Sequence, residues 1–491
     1  MKTQLIQSSW ETVECDALII PVFEDEDMSA SFALKLNKVL SGLLQEFKNT
    51  EEWKAKPGKT VVIYRPKQLK AAQLILLGVG KIKSYDSYSL RTLTMQAVGK
   101  IKGCNLKKIA IVNRCQIQST LAAQAIMEGA VLSTYNGDEY KTEEKSNNFI
   151  EEILFVTDAH VEVSQIETAL ERGNILAEST NLARSLVNEP ANRFSPSQLA
   201  EFAKKTGEQY HLEVDILGEP EMEAKGMAAI LAVSQGSEEP ARFIILKHSG
   251  HPNPKTAPIV LVGKGVTFDS GGLSLKSAQS MEEMKCDKAG ACAVLASMQA
   301  IAKLQIPKNV VGLIPAVENL PSGSATRPGD VIRSMSGKTI EVINTDAEGR
   351  LILADALHFG RQIDAEYMVD VATLTGACVV ALGNLRAGLF SNNDDLCEKL
   401  LQAGERAGEK FWRLPLDEEY REDIKTQIAD IKNVGGRWGG AITAAKFLQE
   451  FVGDVPWCHI DIAGVDLFQK GQSVQGPTGF SVRTLVEMVD S

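Results

Sequence analysis

Between residues 16 and 158 the chain alternates short apolar runs with longer amphipathic ones. DALIIPVF (16–23), TVVIYR (60–65), QLILLGVG (73–80), KKIAIVNR (107–114) and FIEEILFVTD (149–158) have the β-branched and apolar density of strands. SASFALKLNKVLSGLLQEF (29–47) and STLAAQAIMEGAVLSTY (119–135), lying between them, space their apolar residues as helices do. This rhythm predicts an α/β domain. A polar, helix-forming segment (163–188) then leads into EPANRFSPS, where two prolines interrupt the pattern. A domain boundary is expected near residue 165, dividing the chain into 1–165 and 166–491.

Past that point the strand-like runs become continuously apolar: FIILKH (243–248), PIVLVGKG (258–265), NVVGLIPAV (309–317), TIEVIN (339–344), EYMVDVATL (366–374) and WCHIDIAG (457–464). Strands apolar on both faces indicate a sheet buried between helices, and such sheets are mostly parallel. The expected fold class is α/β in two domains. A smaller N-terminal α/β domain precedes a larger one with a mostly parallel sheet flanked by helices.

Composition narrows the classes. The 491 residues are 44% hydrophobic and 23% charged, which is ordinary for a globular chain. No apolar run reaches the roughly 18 residues of a membrane span. The first twenty residues, MKTQLIQSSWETVECDALII, lack the basic segment and apolar core of a secretory signal, and their acids argue against a transit peptide. Eight scattered cysteines without a C-x-x-C pair fit a reduced, cytoplasmic protein. The net charge of -11 is unevenly placed. Residues 1–160 hold 20 Lys and Arg against 19 Asp and Glu, so 32 of the chain's 52 bases and 44 of its 63 acids follow. The acid excess belongs to the second region, and nucleic acid and anionic membrane are not expected partners. A local basic stripe, Arg65, Lys67, Lys70, Lys81 and Lys83, reads as a solvated face.

In open α/β sheets reactive groups gather beyond the carboxyl ends of strands. There the sequence places Lys264, Asp269 and Lys276 in GKGVTFDSGGLSLK, Asp287 in MKCDKAGA, and Asn344, Asp346, Glu348 and Arg350 in NTDAEGRL. Each has an ordinary reading alone, as a helix cap or a surface charge. Together they are four carboxylates in apolar, Gly-rich surroundings, which would repel one another unless cations intervene. Divalent ions resolve that conflict. Competing motifs are absent: no H-E-x-x-H, no G-x-x-x-x-G-K-[ST] and no G-x-S-x-G. His459 reads as a core histidine, and Cys286 and Cys292 as packing residues. Two-metal phosphoryl hydrolysis also uses clustered carboxylates.

NTDAEGRL (344–351) resembles the signature of the leucyl aminopeptidase (cytosol aminopeptidase) family of two-metal exopeptidases. VGKGVTFDSGGLSLK, MKCDKAGA, PAVENLPSGSATRPGDVI, VATLTGA, HIDIAG and NEPANRFSP extend the likeness over most of the second region. The first region resembles the family much less. By matched positions the resemblance implies five metal ligands, Lys264, Asp269, Asp287, Asp346 and Glu348, holding two divalent ions (Mn2+ or Zn2+). Asp269 and Glu348 would bridge them. Lys276 and Arg350 match catalytic positions, with a bicarbonate ion at Arg350. Met284, Asn344, Thr373 and Gly376 would contact substrate. The implied activity removes amino-terminal residues, Leu and similar apolar ones preferred, from short peptides and amino-acyl amides through a hydroxide held between the metals. The resemblance further implies a homohexamer, with the N-terminal domain serving oligomerisation or regulation. Some bacterial members of the family also bind DNA, but the near-neutral first region lacks a strong electrostatic footprint for it.

Overall fold

The computed structural model describes residues 1–143, 145, 150–468 and 475–491. It divides into two compact units, Met1–Glu178 and Ser179–Ser491. The division falls within the helix Val163–Asn188, thirteen residues beyond the expected 165.

The first unit is built on a six-stranded sheet. Its spatial order is Lys2–Gln7, Glu152–Thr157, Lys108–Val112, Ala17–Val22, Gln73–Gly78 and Thr60–Tyr64. All neighbours are parallel except the last pair. Successive side chains of a strand point to opposite faces. Ile19, Ile75, Ile109 and Ile111 therefore join one core, with the helices Ser87–Ile101 and Ser119–Leu132. Leu18, Ile20, Leu74 and Leu76 join the other, with Ser31–Val39 and Leu43–Asn49. Phe149, the first residue of the FIEEILFVTD run, lies outside the described residues. The strand Lys2–Gln7 was not expected, because its alternation KTQLIQ is short and mostly polar.

The second unit carries a nine-stranded sheet. Eight strands run in the order Phe411–Arg413, Ala387–Ser391, Trp457–Asp461, Tyr367–Ala372, Ile259–Gly263, Asn309–Asn319, Arg242–Ser249 and Glu213–Leu217. The ninth, Gly265–Asp269, pairs with the far half of Asn309–Asn319. The centre is parallel, and Arg242–Ser249 and Ala387–Ser391 run antiparallel to their inner neighbours. Ala289–Lys303 and Gly349–Gln362 are among the helices packed on it, and both are largely buried. The fold is thus two-domain α/β with a mostly parallel sheet in the larger unit.

One expected strand is corrected. TIEVIN contributes only Thr339–Glu341, and to a separate three-stranded sheet with Val331–Arg333 and Ile431–Lys432. Its pattern alternates, with Ile340 buried between half-buried Thr339 and Glu341. That suits a small one-faced sheet rather than a two-faced core.

Candidate active site

The carboxyl ends of the central strands deliver the charged residues to one place. Lys264 joins two strands, its N–H donating to Val371 O (3.0 Å) and its carbonyl accepting from Ala291 N (2.8 Å). The main chain of Lys264 is therefore pinned, and the side chain must follow it. Gly349 leaves room for that side chain: a Cβ there would sit 2.6 Å from Lys264 Cε. Asp269 ends its strand, and its Oδ1 accepts from Gly271 N and Asn319 Nδ2, both at 2.9 Å. Gly271 and Gly272 turn the chain at φ +87° and +64°, values suited to glycine. The turn returns Lys276 to Asp269.

Asp287 sits in the short 3-10 turn Met284–Lys288 just before the helix Ala289–Lys303. Lys288, fully buried, braces this turn by donating to Glu189 O (2.9 Å) and Lys285 O (2.6 Å), and Lys285 reaches Asn188 O (2.7 Å). Burial lowers the Lys288 pKa. NEPAN is thereby tied to the Asp287 turn. Asp346 lies in a turn closed by its own N–H donating to Asn344 Oδ1 (2.8 Å), and Glu348 directly precedes the helix Gly349–Gln362 with its side chain free of any capping bond.

The side chains meet. Lys264 Nζ lies 2.7 Å from Asp287 Oδ1 and 2.9 Å from Glu348 Oε1, and donates to Thr373 O at 2.8 Å. Lys276 Nζ lies 2.7 Å from Asp269 Oδ2 and also pairs with Asp346. Thr373 Oγ1 donates to Asp287 Oδ1 (2.7 Å). Asp269, Asp346 and Glu348 each offer an oxygen within 4.8 Å of the others. All six charged groups line one cavity of about 480 Å3, together with Met284, Thr373 and Gly376. Arg350 and Asn344 are not on its lining. Arg350 is buried on the Gly349–Gln362 helix and donates to Asn433 O (2.7 Å), and the Asn344 amide is spent on the Asp346 turn.

Four carboxylates face two lysines, an acid excess in which Asp269, Asp287 and Glu348 are buried and Asp346 is 32% exposed. Burial raises the carboxyl pKa values of Asp269, Asp287 and Asp346. Glu348 adds to the rise at Asp269 and Asp287, while the lysines oppose it. Burial works to lower Lys264, yet Asp287, Glu348 and Asp269 outweigh it and hold the ammonium well above its usual range. An amine binds a metal only when neutral, so a cation bound at Lys264 would have to displace that proton. Arg350 is lowered to about 10 by burial, with Glu348 and Asp461 opposing. Among the described residues Asp287 Oδ2 and Glu348 Oε2 are buried without a hydrogen-bond partner. Such atoms are costly unless a cation meets them, and clustered carboxylates suit a divalent cation. The residues fit a divalent metal centre.

Several supporting residues were not anticipated. Asn433 accepts at Oδ1 from Ile343 N (2.8 Å) and Asn344 N (3.3 Å), and donates from Nδ2 to Asn344 O (2.7 Å). Asp461 accepts from Leu374 N (3.1 Å), Thr375 N (3.4 Å) and Thr375 Oγ1 (2.7 Å), holding the loop whose Thr373 carbonyl meets Lys264. Both lie far along the chain from the segments they hold, so only the acid in HIDIAG and an isolated Asn could have hinted at them. His459 is buried in the core, its Nδ1 2.6 Å from Asp370 Oδ1 and its ring stacked on Phe390 and Trp457. Cys286 and Cys292 are buried thiols pushed up to about 12 by burial, and Cys286 also lines the cavity.

Comparison with known proteins agrees with this geometry. A sequence profile of the cytosol aminopeptidase family's catalytic domain matches residues 181–486, and that of its N-terminal domain matches 19–144. A probable cytosol aminopeptidase of Koribacter versatilis is 41% identical with all of both chains covered. One of Solibacter usitatus is 43% identical over 97% of this chain and 96% of its own. Among solved structures, a tomato leucine aminopeptidase mutant superposes with TM-score 0.90 at 34% identity, covering 100% of this chain and 96% of that one. The bottromycin maturation enzyme BotP in complex with Mn gives 0.85 at 33%, covering 97% and 99%. The chain belongs to the cytosol aminopeptidase family and is an aminopeptidase, a hydrolase of peptide bonds.

Proposed function

We propose that the chain removes amino-terminal residues from short peptides and amino-acyl amides with two divalent ions, Mn2+ or Zn2+, held by Lys264, Asp269, Asp287, Asp346 and Glu348. The observation that carries this reading is the buried acid excess, with Asp287 Oδ2 and Glu348 Oε2 left without partners in a cluster of four carboxylates. When bound, the ions would polarise the scissile carbonyl and activate the attacking water. Asp269 and Glu348 would be shared between the two ions. Lys264 would hold an ion as the neutral amine, and Gly349 keeps space for its side chain.

Lys276 supplies an ammonium held beside Asp269 and Asp346, suited to stabilise negative charge developing on the substrate carbonyl oxygen. Arg350 remains cationic near neutral pH and cannot serve as a base. Its Nε is buried without a partner, so it suits an anion, and bicarbonate carrying the proton is the proposed occupant. Met284, Thr373 and Gly376 form the walls for the first side chain, and their apolar surface suits Leu and similar residues. Asn344 contributes by shaping the Asp346 turn.

The larger setting is also proposed: a cytoplasmic homohexamer in which the first unit, Met1–Glu178, serves assembly or regulation. Among the described residues no helix is long and apolar enough to cross a membrane. Light scattering on the purified chain tests the hexamer, and a monomer at working concentration overturns it. The activity is tested with Leu-amide or Leu-p-nitroanilide and added Mn2+ or Zn2+. Release of leucine that stops on chelation and returns with metal is the expected result. Hydrolysis unaffected by exhaustive metal removal overturns the metal reading.

A further inference from the structure

The cavity that holds the charged cluster has a second group of acids in its lining, Asp466 and Glu283, set among Met284, Val379 and Leu467. These two are outside the proposed ligand set. The charge felt at Asp466 comes from Glu283, and Asp466 in turn acts on Cys286. Both neighbours flank Met284 in sequence, on the turn that forms the wall for the first side chain. The clustered carboxylates instead respond to one another and to Lys264 and Lys276. Asp466 thus lines the cavity with Glu283, and its charge is felt by the segment that carries Met284.

Its backbone is fixed. Asp466 N donates to Ile462 O (3.1 Å), Thr478 N donates to Asp466 O (2.8 Å), and Gly464 turns the chain at φ +86°. Burial pushes the carboxyl up to about 6, backbone hydrogen bonds around Gly464–Leu467 pull it down, and Glu283 adds to the rise. Among the described residues no Lys or Arg pairs with it. A carboxylate in apolar walls with another acid nearby is costly, and the cost falls when a cation enters. Long basic side chains suit such a shape, because their methylenes cover apolar surface while the charged head reaches the acid.

Resting on the aminopeptidase reading, we propose that Asp466, with Glu283 beside it, is a specificity-determining residue that lets the pocket accept amino-terminal Lys or Arg in addition to Leu-sized apolar residues. A half-buried carboxylate in the pocket lining favours side chains that bring a cation to it, while Leu-sized residues use the apolar walls alone.

The experiment compares Lys-amide with norleucine-amide, whose side chain is that of Lys without the ammonium, and with Leu-amide as reference. The metal-loaded chain should hydrolyse Lys-amide with kcat/KM at least equal to that for norleucine-amide. In Asp466→Leu the Lys-to-norleucine ratio should fall tenfold or more, and Asp466→Glu should recover part of it. A ratio below about one-tenth in the unaltered chain, or a ratio unmoved by Asp466→Leu, overturns the proposal while leaving the aminopeptidase reading intact. Absence of hydrolysis of every amide with either metal overturns the aminopeptidase reading itself. If Asp466→Leu fails to fold, the comparison in the unaltered chain decides.

Discussion

Both units bury charge, and they do so on opposite terms. In the first, Arg114 pairs with Glu26 at 2.6 Å, donates to Pro21 O and lies over the Phe32 ring at 3.8 Å, while Arg91 pairs with Glu128. Each buried cation there meets one buried anion. In the second, four carboxylates share two lysines, and among the described residues two of their oxygens have no hydrogen-bond partner. Balanced pairs hold a fold together. An uncompensated cluster is destabilising for the chain alone, so its persistence points to chemistry with a cation.

The comparison can be broken by mutation. The largest effect is expected at Asp269→Ala, which should reduce kcat by three orders of magnitude or more and remove bound metal. Elemental analysis showing two ions per chain would refute its bridging role. Lys276→Ala should lower kcat by about 100-fold or more with metal content intact, and near-normal turnover would take it out of the mechanism. In the first unit Glu26→Ala should cost about 3–5 kcal/mol of stability, because it strands Arg114 out of water. Denaturant unfolding measures this, and a loss under 1 kcal/mol would show the pair to be dispensable. The smallest shift is also the sharpest. In chelator, Asp287→Asn should leave the melting temperature unchanged or raised, since it removes one of four mutually repelling acids, while abolishing activity. A clear drop in Tm would mean that the cluster is a structural network after all.

Much of this arrangement was legible from local sequence. Lys264, Asp269, Asp287, Asp346 and Glu348 sit at strand ends or helix starts, and those positions are fixed by short-range pattern. Continuous apolar runs also announced the central strands of the large sheet. The residues that hold the site were harder to foresee. Asn433 lies 89 residues from Asn344, and Asp461 86 from Thr375, so only the folded chain brings them together. TIEVIN misled because its alternation was outweighed by its overall apolarity. Asp466 was hidden for a different reason: its neighbours in sequence are apolar, and its partner acid, Glu283, comes from another segment.

Asn433 also sets a limit on transplantation. Its amide, together with its own carbonyl, fastens the Asn344 turn and Arg350 to one distant loop. A designer who copied NTDAEGRL alone onto another strand–helix junction would carry over the ligands without their scaffold. The smallest portable unit is therefore two segments, the signature and the loop bearing Asn433, and a graft lacking the second should hold its carboxylates loosely.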